Sequence, residues 1–395
     1  MANDIKNLKK ASREKKYEFY TQLEDIEKEL RYYKDQFNGK VVYCNCDDPF
    51  ESNFFKFFAL KFNEWNLKQL ICTCYDDSPV AGEQLSLFET NVDTKNIKDK
   101  HAYKLVLNEV KDFNGDGLDE DDIKTLIKNS NNILTLLDGD GDFRSEECIE
   151  LLKQSDIIVT NPPFGLFREY VAQLMKYEKK FLIIGSQNAL TYKDIFPYVR
   201  YNKMWFGLTM NGSNRYFRVP DYYELTESTG KIENGIKYAF VKAVRWFTNL
   251  ETPRRNEIYK LYKKYNPDEF PKYDNYDAIN VDKVTDIPYD YDGVMGVPVT
   301  FLDKYNPNQF KILGLAGKDG FGLKSTKTYN EYKEIRQNGE FTGSSGGKTN
   351  GNPVMRGKPT KGNYFIREDG ECVYSLYARM FIQKVGVNDD EDRGN

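Results

Sequence analysis

Short apolar segments alternate with longer amphipathic segments from residue 40 onward, and this alternation restricts the chain to an α/β fold. The apolar segments predict strands at Val41–Cys46, Leu70–Tyr75, Ile133–Leu137, Asp156–Thr160 and Phe181–Ile184. The amphipathic segments predict helices at Ser52–Phe62, Cys148–Gln154, Leu166–Tyr177 and Lys193–Arg200. Further strands are predicted at Met204–Met210, Tyr216–Val219 and Tyr238–Phe247, with little helix between them. We therefore expect a mostly parallel sheet that ends near residue 250.

The chain changes character after Asn249. The segment Glu251–Asp292 is rich in Tyr, Asp, Lys and Pro and is expected to be an irregular connection. We therefore predict two domains, an α/β domain over residues 1–250 and a smaller α+β domain over residues 251–395.

Within the second domain, residues 293–315 and 364–385 have the pattern of strands. The Gly-, Ser- and Lys-rich segment Asn338–Asn363 between them is predicted to be an exposed loop. Residues 301–388 carry 14 Lys/Arg against 8 Asp/Glu, a balance of +6, whereas the whole chain has a net charge of −4. A basic C-terminal part on an acidic body can hold a phosphate backbone, although charge alone does not decide the partner.

Composition and the first residues exclude several classes of protein. The segment Met1–Lys10 lacks the apolar stretch of a secretory signal, and no apolar run approaches the roughly 18 residues that a membrane span needs. Six cysteines scattered over 395 residues do not form a disulfide framework and favour a reducing cytoplasm. The single histidine, His101, argues against catalysis by a histidine base or a Ser-His-Asp triad.

The strongest chemical signal is Asn161-Pro162-Pro163-Phe164, which directly follows a predicted buried strand. Loops that leave the carboxyl ends of parallel strands are where open α/β sheets carry their active sites. The two prolines stiffen this turn because each fixes φ near about −65° and lacks an N–H group.

The residue types in this turn suit chemistry on an amino group of an aromatic ring. Such a nitrogen is a poor nucleophile because its lone pair is delocalised. The Asn161 side-chain oxygen and the Pro162 carbonyl can each accept an N–H bond from it, which moves the nitrogen toward tetrahedral geometry for attack on a methyl sulfonium. Phe164 would stack against the ring. The alternative is a structural turn in which Asn161 caps and the prolines end the strand.

An Asn-Pro-Pro-Phe turn in this position resembles that of the amino-methyltransferases, which implies S-adenosylmethionine as cofactor. Glu18-Phe-Tyr-Thr-Gln22 resembles the element that closes over the cofactor's methionine end, with Gln22 in place of the usual proline. The segment Val41–Pro49 stands where the class has a Gly-rich cofactor loop, and the glycines are missing here. The resemblance implies contacts to the cofactor from Tyr20, Thr21, Asn45, Asp47, Asp48 and Asn161.

Further positions extend the resemblance. Asp76 follows the second predicted strand, where an acidic group can accept both ribose hydroxyls. Asp142 and Phe143 follow the third and resemble the pair that receives the cofactor's adenine, with Asp142 accepting from the amino group and Phe143 packing on its face. Phe217 is the preferred second platform for the substrate base and Trp205 is the other candidate. Either aromatic side chain alternatively belongs to the core.

Asp47 and Asp48 also have a structural interpretation. Asp48 is suited to be the N-cap of the following helix, with Pro49 at the first position and Glu51 completing a capping box. Under this alternative the two acidic side chains cap the helix and make no contact with a cofactor.

Several longer sequence segments occur in a fixed order and narrow the resemblance to one family. They are Val41-Val-Tyr-Cys-Asn-Cys-Asp-Asp-Pro49, Gly139-Asp-Gly-Asp-Phe-Arg-Ser145, Val159-Thr-Asn-Pro-Pro-Phe164, Lys272-Tyr-Asp-Asn-Tyr-Asp-Ala-Ile-Asn-Val281 and Gly293-Val-Met-Gly-Val-Pro298. Together they resemble the EcoRI-type family of adenine-N6 modification methyltransferases, over roughly residues 15–315. The resemblance implies a Rossmann-like catalytic fold that binds S-adenosylmethionine in residues 1–250 and a DNA target-recognition domain in residues 251–395.

The same resemblance implies methylation of N6 of an adenine flipped out of double-stranded DNA at a specific sequence. Arg356, Lys358 and Lys361 would contact the DNA. We expect a cytoplasmic monomer that forms no stable complex with a cognate restriction endonuclease. One alternative is an enzyme with the same turn that methylates ribosomal RNA or a glutamine side chain. The other is a DNA-binding module without activity, against which the intact turn argues.

Two patterns of metal ligands are weaker. Asp112–Asp122 resembles a calcium loop, but Ile123 stands where the bidentate glutamate belongs, so a solvated acidic turn is preferred. The pairs Cys44/Cys46 and Cys72/Cys74 each share one face of a predicted strand, where small side chains pack well. We therefore expect no metal site.

Overall fold

The computed structural model describes residues 21–46, 52–75, 102–111, 132–219, 225–226, 228–317, 322–329, 332–344, 351–367 and 369–386. The chain divides into two compact units, Met1–Ala189 with Trp205–Thr252, and Leu190–Met204 with Pro253–Asn395. The second unit thus takes in a segment that precedes the end of the first. No helix within the described ranges is long and apolar enough to cross a membrane.

The described part of the first unit contains four α-helices and ten strands. The helices are α1 Leu23–Leu30, α2 Asn53–Lys61, α3 Glu146–Gln154 and α4 Phe167–Lys176. The strands are β1 Val41–Cys44, β2 Gln69–Thr73, β3 Tyr103–Leu107, β4 Ile133–Leu136, β5 Ile157–Thr160, β6 Lys180–Ser186, β7 Trp205–Phe206, β8 Ser213–Arg218, β9 Gly230–Glu233 and β10 Ile236–Thr248.

All ten strands belong to one sheet, in the order β4-β3-β2-β1-β5-β6-β10-β7, with β8 and β9 also paired to β10. Only the four central strands β2, β1, β5 and β6 are parallel. The flanking strands pair antiparallel on both sides. The predicted α/β class is confirmed, but the expectation of a mostly parallel sheet is wrong, because the sheet is mixed.

Short connections explain part of the antiparallel pairing. β9 and β10 are joined by Asn234 and Gly235, which have φ of 51° and 81°. Two residues at positive φ form a hairpin turn, whereas parallel neighbours require a crossover of about a dozen residues or more. The strand β3, which the sequence did not predict, joins β4 to the parallel block.

Every residue of the central strands β1 and β5 is buried, as is typical of parallel strands covered on both faces.

The helix α2 begins after Ser52, whose hydroxyl accepts the N–H groups of Phe54 at 3.1 Å and Phe55 at 3.4 Å. The alternative interpretation, in which Asp48 is the N-cap of this helix, is therefore wrong, because the helix begins at Asn53 and the Ser52 side chain caps it.

The second unit is mainly β in its described part. The short helix α5, Phe196–Arg200, comes from the segment that precedes β7. The strands β11 Ile279–Asn280, β12 Met295–Pro298, β13 Phe310–Leu315 and β18 Arg379–Lys384 form one sheet, in the order β11-β12-β18-β13. The strands β14 Tyr332–Ile335, β15 Val354–Arg356, β16 Tyr364–Arg367 and β17 Cys372–Ser375 form another, in the order β14-β16-β17-β15. The expected α+β character is wrong for the described residues after 252, whose helical turns are short 3-10 segments.

One part of the predicted exposed loop Asn338–Asn363 is a buried strand. Val354 and Met355 in β15 are 0% and 4% exposed. β15 pairs with β17, and the Val354 N–H donates to the side-chain oxygen of Asn275 at 2.9 Å. The prediction of a fully exposed loop is thus wrong here, because partners distant in the chain satisfy a backbone that its own sequence does not mark as a strand.

Candidate active site

The turn Asn161–Phe164 leaves the carboxyl end of β5, between β1 and β6 at the centre of the parallel block. Asn161 is half-buried. Pro163 has φ −55° and ψ 119°, and its carbonyl accepts the Leu166 N–H at 2.9 Å in the 3-10 turn that leads into α4. The carbonyl of Pro163 therefore closes this turn. The sequence assigns the substrate contact to a different carbonyl, that of Pro162.

The turn meets an aromatic side chain from a distant strand. The rings of Phe164 and Phe217 lie 6.4 Å apart at 77°, an edge-to-face contact. Phe217 is 2% exposed on β8, which pairs with the long strand β10. Trp205 lies on β7, and its indole N–H donates to the Leu250 carbonyl at 3.0 Å. Of the two aromatic candidates, Phe217 is therefore the one in contact with the turn.

A second cluster lies where β1 ends. Asn45 is buried, and its side-chain oxygen accepts a hydrogen bond from the hydroxyl of Tyr170 in α4. The Tyr170 ring contacts that of Phe143, with centroids 5.0 Å apart at 69°. Gln173, one turn further along α4, donates to the Phe143 carbonyl at 2.9 Å. The structure thus brings Asn45 and Phe143 together through Tyr170, a residue that the sequence did not single out.

Asp142 is engaged by its neighbour Arg144. Its carboxylate accepts Arg144 Nε at 2.8 Å and Nη2 at 2.7 Å, while Arg144 Nη1 contacts Glu169 at 2.8 Å. The hydrogen bonds that Arg144 donates to Asp142 raise the pKa of the guanidinium, which therefore stays charged. The Arg144 guanidinium also lies 5.3 Å from the centre of the Phe143 ring. Asp142 is therefore held in a fixed orientation.

Gly141 explains why this loop sits beside the end of β2. Gly141 has φ +74°, and a Cβ atom there would lie 2.2 Å from the Cys74 carbonyl oxygen and 2.9 Å from Ala102 Cβ. Only glycine permits this close approach, and glycine adopts this positive φ without strain. The loop that carries Asp142 and Phe143 consequently packs against Cys74, the residue after β2.

Thr21 provides a polar atom suited to a ligand. Its side chain is buried, and within the described residues Oγ1 has no hydrogen-bond partner. Its carbonyl accepts Asn53 Nδ2 at 2.7 Å, which places Thr21 at the start of α2. A buried hydroxyl without a partner and the amide of Asn45 fit a polar cofactor. Tyr20, Asp47, Asp48 and Asp76 lie outside the described residues.

The comparison of whole sequences decides the class of protein. A family model described as "Adenine-specific methyltransferase EcoRI" matches residues 7–358 of the chain. The chain belongs to this family. The family prediction from the sequence is thereby confirmed, and the chain is an adenine-specific methyltransferase.

Three relatives of the methyltransferase cover most of its length. Type II methyltransferase M.EcoRI from Escherichia coli is 47% identical over 318 residues, which is 79% of this chain and 90% of the relative. M.MgeORF184P from Mycoplasma genitalium is 35% identical over 83% of this chain and 92% of its own length. M.MpnI from Mycoplasma pneumoniae is 35% identical over 81% of this chain and 88% of its own length. No solved structure matches the chain.

A buried carboxylate of the methyltransferase that the sequence did not single out supports the strand carrying Phe217. Glu29 in α1 is 0% exposed, and its oxygens accept from Tyr33 OH at 2.7 Å, Leu208 N at 2.8 Å and Thr209 N at 2.7 Å. A Cβ atom at Gly207 would lie 2.3 Å from Glu29 Oε1. Glu29 therefore fixes the segment that leads into β8.

The three cations assigned to DNA lie in the second unit. Arg356 ends β15 and Lys358 and Lys361 follow it, and all three are exposed. Arg356 Nε donates to Asp274 Oδ1 at 2.9 Å, and Lys358 Nζ lies 4.8 Å from the centre of the Tyr364 ring. Arg356 is thus anchored by a side chain from a distant segment.

Proposed function

We propose that this methyltransferase transfers a methyl group from S-adenosylmethionine to N6 of an adenine that is flipped out of double-stranded DNA at a specific sequence. The observation that supports the proposal most is the Asn161–Phe164 turn at the carboxyl edge of the parallel strands, with Phe217 against Phe164. The base must leave the duplex because base stacking hides the adenine amino group from an enzyme's reacting atoms.

The turn would activate the amino group by hydrogen bonding. The side-chain oxygen of Asn161 and the carbonyl oxygen of Pro162 each accept one N–H of N6. This arrangement draws the nitrogen toward tetrahedral geometry and restores its lone pair for in-line attack. Phe164 stacks on the base, and Phe217, whose ring contacts Phe164 edge-on, would be the second aromatic platform for the base. The stiff backbone of Pro162 and Pro163 keeps the two acceptors in place while the base enters.

The cofactor would lie along the ends of β1, β2 and the loop before α3. When bound, S-adenosylmethionine supplies the electrophilic methyl group. Asn45 and Thr21 offer polar atoms for its amino-acid part, with Tyr20, Asp47 and Asp48 as further contacts. Asp142, oriented by Arg144, accepts from the adenine amino group, and Phe143 packs on the adenine face. Asp76 accepts the ribose hydroxyls.

Catalysis and DNA recognition would be carried out by the two predicted domains. Residues 1–250 would form the Rossmann-like catalytic domain, and residues 251–395 would form the target-recognition domain with Arg356, Lys358 and Lys361 on DNA. We propose that the enzyme acts in the cytoplasm as a monomer, since one transfer to one strand needs a single active site. If the cell contains a restriction endonuclease for the same site, the two enzymes would form no stable complex.

Transfer of tritiated methyl groups to duplex DNA, ribosomal RNA and protein tests the proposal. We expect label in DNA alone, as N6-methyladenine within one sequence context. Long-read sequencing of DNA from cells that express the chain identifies base, atom and context together. Label confined to RNA or to glutamine side chains would overturn the choice of DNA as substrate. A scattering measurement showing an obligate dimer would overturn the monomer.

A further inference from the structure

Asp274 of the second unit is a buried carboxylate on which cationic side chains converge. Its side chain is 0% exposed. Oδ1 accepts Lys327 Nζ at 2.8 Å and Arg356 Nε at 2.9 Å, so these two cations bond the same oxygen and lie side by side. Oδ2 accepts the hydroxyl of Tyr329 at 2.6 Å, and Arg367 Nη1 lies 3.7 Å from it.

The two residues after Asp274 fix the backbone that carries Arg356. Asn275 is fully buried, accepts the Val354 N–H at 2.9 Å and donates to the Asn352 carbonyl at 2.8 Å. The Tyr276 hydroxyl donates to the Gly351 carbonyl at 2.6 Å. These contacts hold the start of β15, so Arg356 is anchored both through its main chain and through its side chain.

The Asp274 carboxylate is buried, but the two cations that it binds, Lys327 and Arg356, are accessible to solvent. The Lys327 side chain is 39% exposed and that of Arg356 is 67% exposed. Burial raises the pKa of Asp274, but hydrogen bonds from Lys327, Tyr329 and Arg356 outweigh it and lower the pKa to about 2. Asp274 is therefore anionic at neutral pH. Its hydrogen bonds hold two long, flexible side chains in place.

The cations of the cluster that are most exposed are Lys327 and Arg356. Arg367 is less exposed and also contacts Asp369 at 3.0 Å and Glu371 at 3.3 Å, and these two acids more than offset its charge. Among the described acids, Asp274 is the one that lies within salt-bridge distance of Lys327 and of Arg356. Arg356 uses Nε for this contact, and no described residue hydrogen-bonds its Nη atoms. Its guanidinium fork is available to an anion.

We propose that Asp274 is a positioning residue that holds Lys327 and Arg356 side by side so that they bind one backbone phosphate of duplex DNA. The inference rests on the proposed action on DNA. An arginine fork next to a lysine ammonium suits a tetrahedral anion with several oxygens, since arginine supplies two parallel donors and lysine a compact charge. Reading of a base edge requires a fork but no neighbouring ammonium.

Salt dependence of binding separates a phosphate contact from a base contact. We would measure binding of the full chain to a duplex with its target site and to an unrelated duplex, by fluorescence anisotropy over a range of NaCl concentrations. Lys327→Gln with Arg356→Gln should weaken both complexes alike and reduce the slope of log K against log salt by about 0.9. Weakening confined to the target duplex, with an unchanged slope, would show base recognition and overturn the proposal.

Asp274→Asn tests the positioning role by the sign of its effect. Removing a negative charge strengthens DNA binding when charge alone matters. Positioning predicts the opposite, a loss of about tenfold at low salt, because Lys327 and Arg356 are released. In the Arg356→Gln background the same change should have a smaller effect. Tighter binding by Asp274→Asn would overturn the proposal, and the two surface variants test it even where this variant fails to fold.

Lys324→Gln is the matched control. Lys324 is exposed three residues before Lys327 and makes no contact with Asp274. Lys324→Gln removes one positive charge, where the double variant removes two, and should leave the slope nearly unchanged. A loss of half the double variant's effect or more would show bulk electrostatics and contradict the paired arrangement. Failure of the unmodified chain to bind either duplex would refute the proposed action on DNA. If the unmodified chain binds DNA and the Lys327 and Arg356 variants bind it with the same affinity and salt dependence, only the phosphate contact is refuted.

Discussion

At the scale of single residues, the proposed chemistry depends most on Asn161. Asn161→Ala removes one of the two acceptors for the amino group, so we expect methyl transfer to fall by at least about 10²-fold. Cofactor affinity should stay nearly unchanged, because the other contacts to the cofactor persist. Single-turnover transfer and calorimetry measure the two quantities. Asn211→Ala removes an exposed amide as a control, and turnover retained by Asn161→Ala would refute the assigned role.

Phe217 and Trp205 can be distinguished by paired substitutions. Phe217→Leu keeps an apolar side chain on β8 but removes the ring beside Phe164, so we expect methylation of duplex DNA to fall about tenfold. Trp205→Phe loses the hydrogen bond to Leu250 and should lower the free energy of unfolding by about 1 kcal/mol while activity is kept. The reverse pattern of activities would assign the platform to Trp205.

At the scale of elements, Glu29 joins α1 to the segment before β8. Glu29→Gln places an amide where four donors converge, including the Thr209 hydroxyl at 2.6 Å. We expect a loss of about 1–3 kcal/mol in the free energy of unfolding, because buried donors are left unpaired. Glu24→Gln in the same helix, with a side chain 78% exposed, should change it by less than about 0.5 kcal/mol. Equal losses measured by urea unfolding would contradict this account.

The elements that the sequence predicts well are those whose signals are local. β5 is a short run of apolar residues, and the Asn-Pro-Pro turn after it depends on adjacent residues alone. β3 was missed, since Lys104 interrupts a five-residue segment whose alternating burial appears only once β2 and β4 pair with it.

The buried carboxylates of the site and of the second unit could not be predicted. Glu29 stands in a helix with other exposed acids, and its partner Leu208 is 179 residues away. Asp274 meets Arg356 across 82 residues. A single sequence assigns both to solvated surface, because nothing adjacent in the chain marks a carboxylate as buried.

At the scale of the whole molecule, Asp274 makes the second unit sensitive to acid. Burial alone would raise its pKa, but hydrogen bonds lower it from 3.8 to about 2. Because the folded-state pKa lies below the unfolded value, the contact stabilises the unit above about pH 4 and is lost as the pH falls toward 2. Asp274→Asn should therefore flatten the pH dependence of unfolding in this window. Parallel curves for the variant and the unmodified chain would contradict this assignment.

The excursion of Leu190–Met204 into the second unit constrains how such enzymes can be recombined. Within that unit α5 packs on β13, the Asn202 side chain accepts from Arg255, and a Cβ at Gly322 would meet Arg200. A hybrid gene joined at a single point after residue 252 would leave this helix from one parent against strands of another. Exchange of the C-terminal unit between family members must therefore transplant two stretches of coding sequence rather than one.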